Sequence, residues 1–363
     1  MAEEEDSAHE NVIEIPAESI TIAIFCALAY ETVAVRHTLD KEYSCRLERV
    51  GVKKYVYSFG RIDEHNVVIA RPTDMGTVNA AHCAAAVSQQ FPNIRLALMV
   101  GIGAGLPSPK HDVRLGDLVV SNPKNGFPGV VPYDFVKREQ EKDVLKGCLN
   151  KPPRILISAD GKLEEDKIME RHSLRRALRK LTNIPKFKYS VIEDILFNKN
   201  FHHIKKGLSC SKCKALSAKM VIPRTQCLNN TPTVHHGLIL SGDGIIKSLE
   251  VRSHLQQVYP DALCLEMEAA SIINELPCLV HYYAAAVAAA YYKALLRKVN
   301  AQEVQEVTTI KELLDAVDFD YQGILAASFF FKRGTSDQGN ARRLFSIITW
   351  QLTFTIPSFA TRI

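Results

Sequence analysis

Apolar residues along this chain fall into short continuous runs separated by polar punctuation. Ile20 to Phe25 is such a run, rich in β-branched residues, as expected of a strand buried on both faces. Helical character follows over Ala29 to Thr38. Tyr55 to Gly60 and Val67 to Ala70 flank the polar stretch Arg61 to Asn66, which predicts a hairpin with a six-residue turn. Next comes a small-residue helix, with Thr77 as its cap and Ala80 to Val87 lying close to a sheet. Leu96 to Val100 predicts a buried strand that runs into a glycine cluster. Leu118 to Ser121 and Leu238 to Leu240 predict two more strands. Leu265 to Leu276 predicts a helix carrying Glu266, Met267 and Glu268. The Ala-rich run Tyr282 to Leu296 is shorter than the roughly 20 residues needed to cross a bilayer, so it predicts a buried core helix. Strands alternating with helices imply an α/β domain whose mixed or parallel sheet is covered on its faces.

The pattern also divides the chain. Residues 1–18 are acidic and polar and predict a tail. The α/β domain spans 19–300, interrupted at 150–231 by a Lys-rich, Cys-bearing stretch that predicts a helical and irregular insertion at its edge. Residues 301–322 are a charged amphipathic linker. Residues 323–363 hold an apolar run, a polar turn and a basic amphipathic helix, a short C-terminal α/β fragment. About forty residues are too few for an independent core.

Composition narrows the function classes. With 363 residues and 47% hydrophobic content the chain can bury a sizeable core and is not a disordered protein. A net charge of +5 does not call for a nucleic-acid partner. Nine cysteines, an odd number, predict reduced thiols. Met1 to Glu10 has neither a basic nor an apolar region of the kind a secretory signal needs. The expectation is a cytoplasmic protein with no membrane partner.

Candidate chemistry is sparse when read singly. Gly101, Ile102, Gly103, Ala104 and Gly105 follow a strand, where backbone amides can approach an anion or a sugar closely. The alternative is a tight turn without a ligand. Leu106 stands where a dinucleotide fingerprint needs glycine, so no nicotinamide or flavin cofactor is expected. Glu266 and Glu268, two apart on a helix, do not share a face. One of them can enter a pocket, where a carboxylate accepts from two ribose hydroxyls at once. The alternative is two ordinary acids favoured near a helix N-terminus. Glu31 follows the first strand, where α/β ligands gather. It is placed to orient a water, or else is simply solvated. Cys210-x-x-Cys213 is half of a zinc motif. His202, His203 and Cys227 are the residues available to complete it, and no second pair stands at finger spacing, so no metal is expected. The basic run Lys186 to Lys214, with its interleaved aromatics, reads as a solvated insertion rather than a single-strand platform. No P-loop, HExxH or G-x-S-x-G is present, which argues against the chemistries those motifs carry.

Taken in order, the segments form a set. Ile22 to Glu31, Gly60 to Ile69, Val100 to Gly105, Gly116 to Ser121 and Leu265 to Ala270 together resemble the superfamily of purine nucleoside phosphorylases and methylthioadenosine/S-adenosylhomocysteine nucleosidases. The version they most resemble stands at the N-terminus of fungal NOD-like receptors. The resemblance covers roughly residues 20–300. It implies a three-layer α/β/α fold with a central mixed sheet, and a purine nucleoside as ligand, with phosphate as a second substrate in the phosphorylases. A homo-oligomer is compatible with it. It implies that Glu268 holds the ribose hydroxyls and Glu31 orients the nucleophile. Gly101, Ile102, Gly103 and Ala104 would line the sugar pocket, with Glu266 and Met267 beside it. The family's proton donor is an aspartate in a loop after the next strand, here Pro277 to Val280. No Asp or Glu lies between Glu275 and Glu303. The expected function is cleavage of the N-ribosidic bond of purine nucleosides with the general-acid loop missing. The alternative is a non-catalytic nucleoside-binding or sensor domain. Ala326 to Phe345 resembles part of the NACHT nucleotide-binding domain of fungal NOD-like receptors, without its phosphate-binding loop.

Overall fold

The computed structural model describes residues 13–309 and Glu312, except for 48–54, 139–142, 146–148, 188–193, 199–200, 202–203, 205–209, 226–231, 245, 247, 276–277 and 283–284. The chain divides into a unit spanning Met1–Val307 and a second spanning Thr308–Ile363. The 323–363 segment, most of the linker and most of the N-terminal tail lie outside the described residues.

The strands are β1 (Glu14–Pro16), β2 (Ile22–Phe25), β3 (Lys41–Arg46), β4 (Ser58–Ile62), β5 (His65–Ala70), β6 (Leu96–Gly101), β7 (Ala104–Gly105), β8 (Leu118–Ser121), β9 (Val130–Pro132), β10 (Val136–Arg138), β11 (Asp143–Leu145), β12 (Val234–Ser241), β13 (Ala262–Glu266) and β14 (Cys278–Tyr282). The α-helices are α1 (Ala29–Arg36), α2 (Thr77–Gln90), α3 (Arg154–Ile168), α4 (Ser173–Thr182), α5 (Cys210–Leu216), α6 (Leu249–Val258), α7 (Ala269–Glu275), α8 (Ala285–Leu296) and α9 (Ala301–Gln305).

The main sheet runs β1-β3-β4-β5-β2-β6-β14-β8-β12-β13-β7, with β9 also paired to β12. Its centre is parallel: β2 lies between β5 and β6, and β14 pairs parallel with β6. Antiparallel contacts of β14 with β8 and of β13 with β7 make it mixed. Every residue of β2, β6 and β8 is buried, which is why these strands read as unbroken apolar runs. Ile22, Ile24, Leu96, Leu98, Val100, Leu118 and Val120 share one core cluster with α8 and with Leu156, Ala159, Leu163, Ala177 and Leu181 of α3 and α4. Helices α2 and α7 pack on each other, and the architecture is a three-layer α/β fold. Helices α3 and α4, inside the 150–231 stretch, are thus built into the core. All twelve residues of α8 are buried, as a helix that is apolar all round requires.

Four local expectations are corrected. Leu265 to Leu276 is not one helix: β13 runs through Glu266, Met267 and Glu268 form a bend, and α7 begins at Ala269. The hairpin turn is only Asp63-Glu64, because Ile62 and His65 are buried and complete the strands, with Asp63 at a left-handed φ of 54°. Thr77 does not cap α2; Gly76 holds that place. Strand β12 begins at Val234, well before Leu238, because its first half pairs with β8 and its second half with β13 and β9.

Candidate active site

Strand β14 takes its last two residues from beyond the expected Pro277 to Val280 run. His281 and Tyr282 pair with Val100 and Gly101 of β6 and with Val120 and Val119 of β8. The chain then enters α8 at Ala285, past two positions outside the described residues. The strand keeps five residues, but the acid-bearing loop has no counterpart between it and α8.

Around the ends of the neighbouring strands, three carboxylates gather. Glu31 sits in the first turn of α1 and is 2% exposed. Its Oε2 accepts the Leu28 N–H at 2.8 Å and its Oε1 accepts the Ile102 N–H at 2.8 Å. One side chain therefore ties the exit of β2 to the exit of β6, its neighbour in the sheet. Burial raises the Glu31 carboxyl above its ordinary range, and the backbone donors at Leu28, Ile102 and Ala27 pull it partly back.

Glu266 ends β13. Its Oε2 accepts the N–H groups of Glu268 and Ala269 at 2.7 and 2.8 Å, and Ser241 Oγ accepts the Ala270 N–H at 3.0 Å. These residues satisfy the orphan donors of the first turn of α7. Glu266 thus spends one oxygen on fixing the bend that carries Glu268. The Glu268 Oε1 accepts the Gly76 N–H at 3.2 Å. Burial pushes the Glu268 carboxyl up to about 7, the Glu266 charge adds to the rise, the Gly76 N–H opposes it, and the Glu31 charge adds again. The Glu31 charge is thus among those that act on Glu268, and half-buried Met267 lies between the two glutamates of its own bend.

The glycine cluster is divided between elements. Gly101 ends β6 and is buried, Ile102 is 43% exposed, and Ala104 and Gly105 pair with Leu265 and Cys264 as β7. The cluster thus carries the chain from β6 across to β13; Ile102, Ala104 and Gly105 are exposed, and the Ile102 N–H donates to Glu31. The left-handed glycine of the site is elsewhere: Gly76 has φ 109°. A side chain there would be strained, and its Cβ would come 3.1 Å from Asp243 Oδ1.

The sequence did not single out Gly76 or Asp243. Asp243 follows β12. Its carboxylate accepts the Thr77 N–H at 2.6 Å and the Thr77 hydroxyl at 2.7 Å, while its own N–H donates to Asp134 Oδ2 at 2.8 Å. This caps α2 from outside with a negative group, favourable at a helix N-terminus. A glycine directly before a predicted helix was the one available signal for Gly76. Nothing local marked Asp243.

Other candidates separate from the site. Phe187 is buried against Tyr30, with ring centroids 5.0 Å apart, and Phe197 stacks on Phe201 at 4.1 Å. These rings of the basic stretch are spent on packing. Cys213 is buried. The side chain of Cys210, and Cys227, His202 and His203, lie outside the described residues. Among the described residues no group of three His, Cys, Asp or Glu comes together to hold a metal, and no helix is long and apolar enough to cross a membrane.

A nucleotide-binding leucine-rich repeat (NLR)-like protein of Hyaloscypha variabilis is 31% identical over 324 residues, covering 84% of this chain and 32% of that protein. The chain therefore spans about a third of the length of this curated relative. A Borrelia burgdorferi protein described as a 5'-methylthioadenosine/S-adenosylhomocysteine nucleosidase, solved with adenine bound, shares the fold with a TM-score of 0.50 at 14% identity, over 77% of this chain and 100% of that one. The corresponding nucleosidase of Neisseria meningitidis, solved with methylthio-immucillin-A, gives 0.46 at 17% identity over 77% and 99%. The profile of the phosphorylase superfamily matches residues 21–274 and stops just short of β14. The chain belongs to the phosphorylase superfamily.

Proposed function

We propose that this chain binds a purine nucleoside between Glu31, Ile102 and Glu268, and that it cleaves the N-ribosidic bond slowly or not at all. The observation that carries the reading is a pair of buried, backbone-anchored carboxylates at the strand ends with no acidic residue anywhere from 276 to 302. Glu268 as the carboxylate accepts from two adjacent ribose hydroxyls. Glu31 accepts from a water beneath the sugar carbon, and its charge favours the developing oxocarbenium ion. The departing base needs a proton, and the segment that supplies it in the family is missing. General-acid assistance is worth about 10²- to 10⁴-fold, so its loss leaves recognition in place while removing most of the turnover.

The same geometry favours water over phosphate as any nucleophile. Glu31 already takes the amides of Leu28 and Ile102, the kind of donors an anion would use. A phosphate there would meet a buried carboxylate instead of a donor nest. The similarity to an NLR-like protein supports a binding step inside a larger receptor.

Calorimetry with adenosine and methylthioadenosine, paired with chromatography for free adenine, tests this. Saturable binding that is lost in Glu268→Ala, with adenine release well below the common enzymatic range of about 1–10³ per second and unchanged by phosphate, is the expected result. Absence of binding would sink the whole reading. Release of adenine at ordinary enzymatic rates would overturn the claim of impaired protonation.

A further inference from the structure

At the far end of β12 from Asp243 lies a cavity of about 750 Å³, walled by α3, α4, α8 and the first residues of β12. Small-molecule sites span about 300–1,000 Å³. We infer that this cavity is a second ligand site, built for a small organic anion with an apolar body.

Its floor is a fixed polar cluster. Asp160 of α3 is buried and accepts from the Tyr291 hydroxyl of α8 and from His236 Nε2 of β12, at 3.1 Å to Oδ1 and 3.0 Å to Oδ2 for the histidine. Three elements are thereby locked around one carboxylate. Such a cluster gives a cavity a defined shape without leaving the carboxylate bare. The side walls are apolar, from Leu163, Leu174, Leu178 and Val234.

The rim decides the charge of the ligand. Lys167, Arg175 and Arg179 line the cavity and are exposed. Among the described residues none of the three is ion-paired, and the exposed acid on the rim is Glu164. Arg175 and Arg179 are one turn apart on α4, as are Leu174 and Leu178, so a row of cations runs beside a row of apolar side chains. An anionic head on the arginines and an apolar body along the leucines satisfy both rows at once. A bare anion would leave the leucine row unused, and a neutral apolar molecule would leave the cations unanswered.

Sodium decanoate is a suitable probe, titrated calorimetrically into the full chain. Saturable one-to-one binding is expected, weakened about tenfold in the Arg175→Ala/Arg179→Ala double variant. Decanol should bind at least about tenfold less tightly than decanoate, and inorganic sulfate should fail to displace it. Leu174→Gln should weaken decanoate as well, which separates a lined cavity from a charged surface. Adenosine binding should be unchanged in all of these variants. Decanoate that does not saturate, that ignores the arginine and leucine changes, or that sulfate displaces on equal terms overturns the inference.

Discussion

Glu268 shows how one residue can be legible by identity and yet illegible by environment. Its carboxyl, pushed up to about 7 by burial and then by Glu266 and Glu31, is half protonated near neutral pH. Ribose hydroxyls donate to the carboxylate, so only the ionised fraction is competent to accept from both. Nucleoside affinity is therefore expected to tighten about tenfold from pH 6 to pH 8, following that fraction, and to lose this dependence in Glu268→Gln, which also binds more weakly. Titration calorimetry at the two pH values checks it, and a flat profile in the unaltered protein would show that the proton on Glu268 is irrelevant to binding. The sign for folding is the reverse. The folded state keeps a proton that the unfolded chain has already released, so stability falls as pH rises from the ordinary carboxylate range to about 7 and then levels off. Glu31 and Glu268 stood out in the sequence through the resemblance of the runs that hold them, Ile22 to Glu31 and Leu265 to Ala270. Gly76 and Asp243 did not, because their partners are 192 and 166 residues away. The role of Glu266 as the cap of α7 was hidden by reading its segment as helix.

That misreading belongs to the element scale. Ala262 to Leu265 is an apolar run without period, which fits either a strand or a buried helix. The helical pattern of Ala269 to Glu275 begins only three residues after Glu266, so the two elements merged. Helix α8 presents the opposite case. Its Ala-rich, nearly uncharged composition can only be buried, and every residue of it is. Its one cation, Lys293, is buried too and reaches Asp40 Oδ1 at 2.6 Å and the Thr38 carbonyl. Alanine lets α8 lie tight on β6 and β14 and against α1, α3 and α4. Ala289, at 0% exposure, has no room for the three more heavy atoms of a leucine side chain. Ala289→Leu should thus destabilise the fold by about 1–3 kcal/mol through overpacking, read as a lower urea midpoint at unchanged slope. Wild-type stability in that variant would mean that α8 is loosely packed.

At the scale of the whole molecule, the order of strands could not be read from the sequence. Local runs predict strands, but β14 enters between β6 and β8, and β12 divides its length between β8 and the β9–β13 pair. The pairings of β14 with β6 and β8, and of β12 with β8 and β9, join residues more than a hundred positions apart, and no local pattern encodes them. What was legible is that enough apolar sequence exists before residue 307 to close a core alone. A domain of about 300 residues buries about three quarters of the surface its unfolded chain exposes. The first unit, Met1–Val307, holds the carboxylate site, the main sheet and the α4 cavity. It should need nothing from the residues after 312 to fold or to bind. A chain ended after Glu312 is expected to melt at the same temperature as the 363-residue protein and to bind adenosine with the same affinity. Scanning calorimetry and titration on the two lengths decide the matter. A lower melting temperature, or affinity lost with the last fifty-one residues, would mean that the C-terminal segment contributes to the core or the site, and the nucleoside-binding unit would then have to be redrawn to include it.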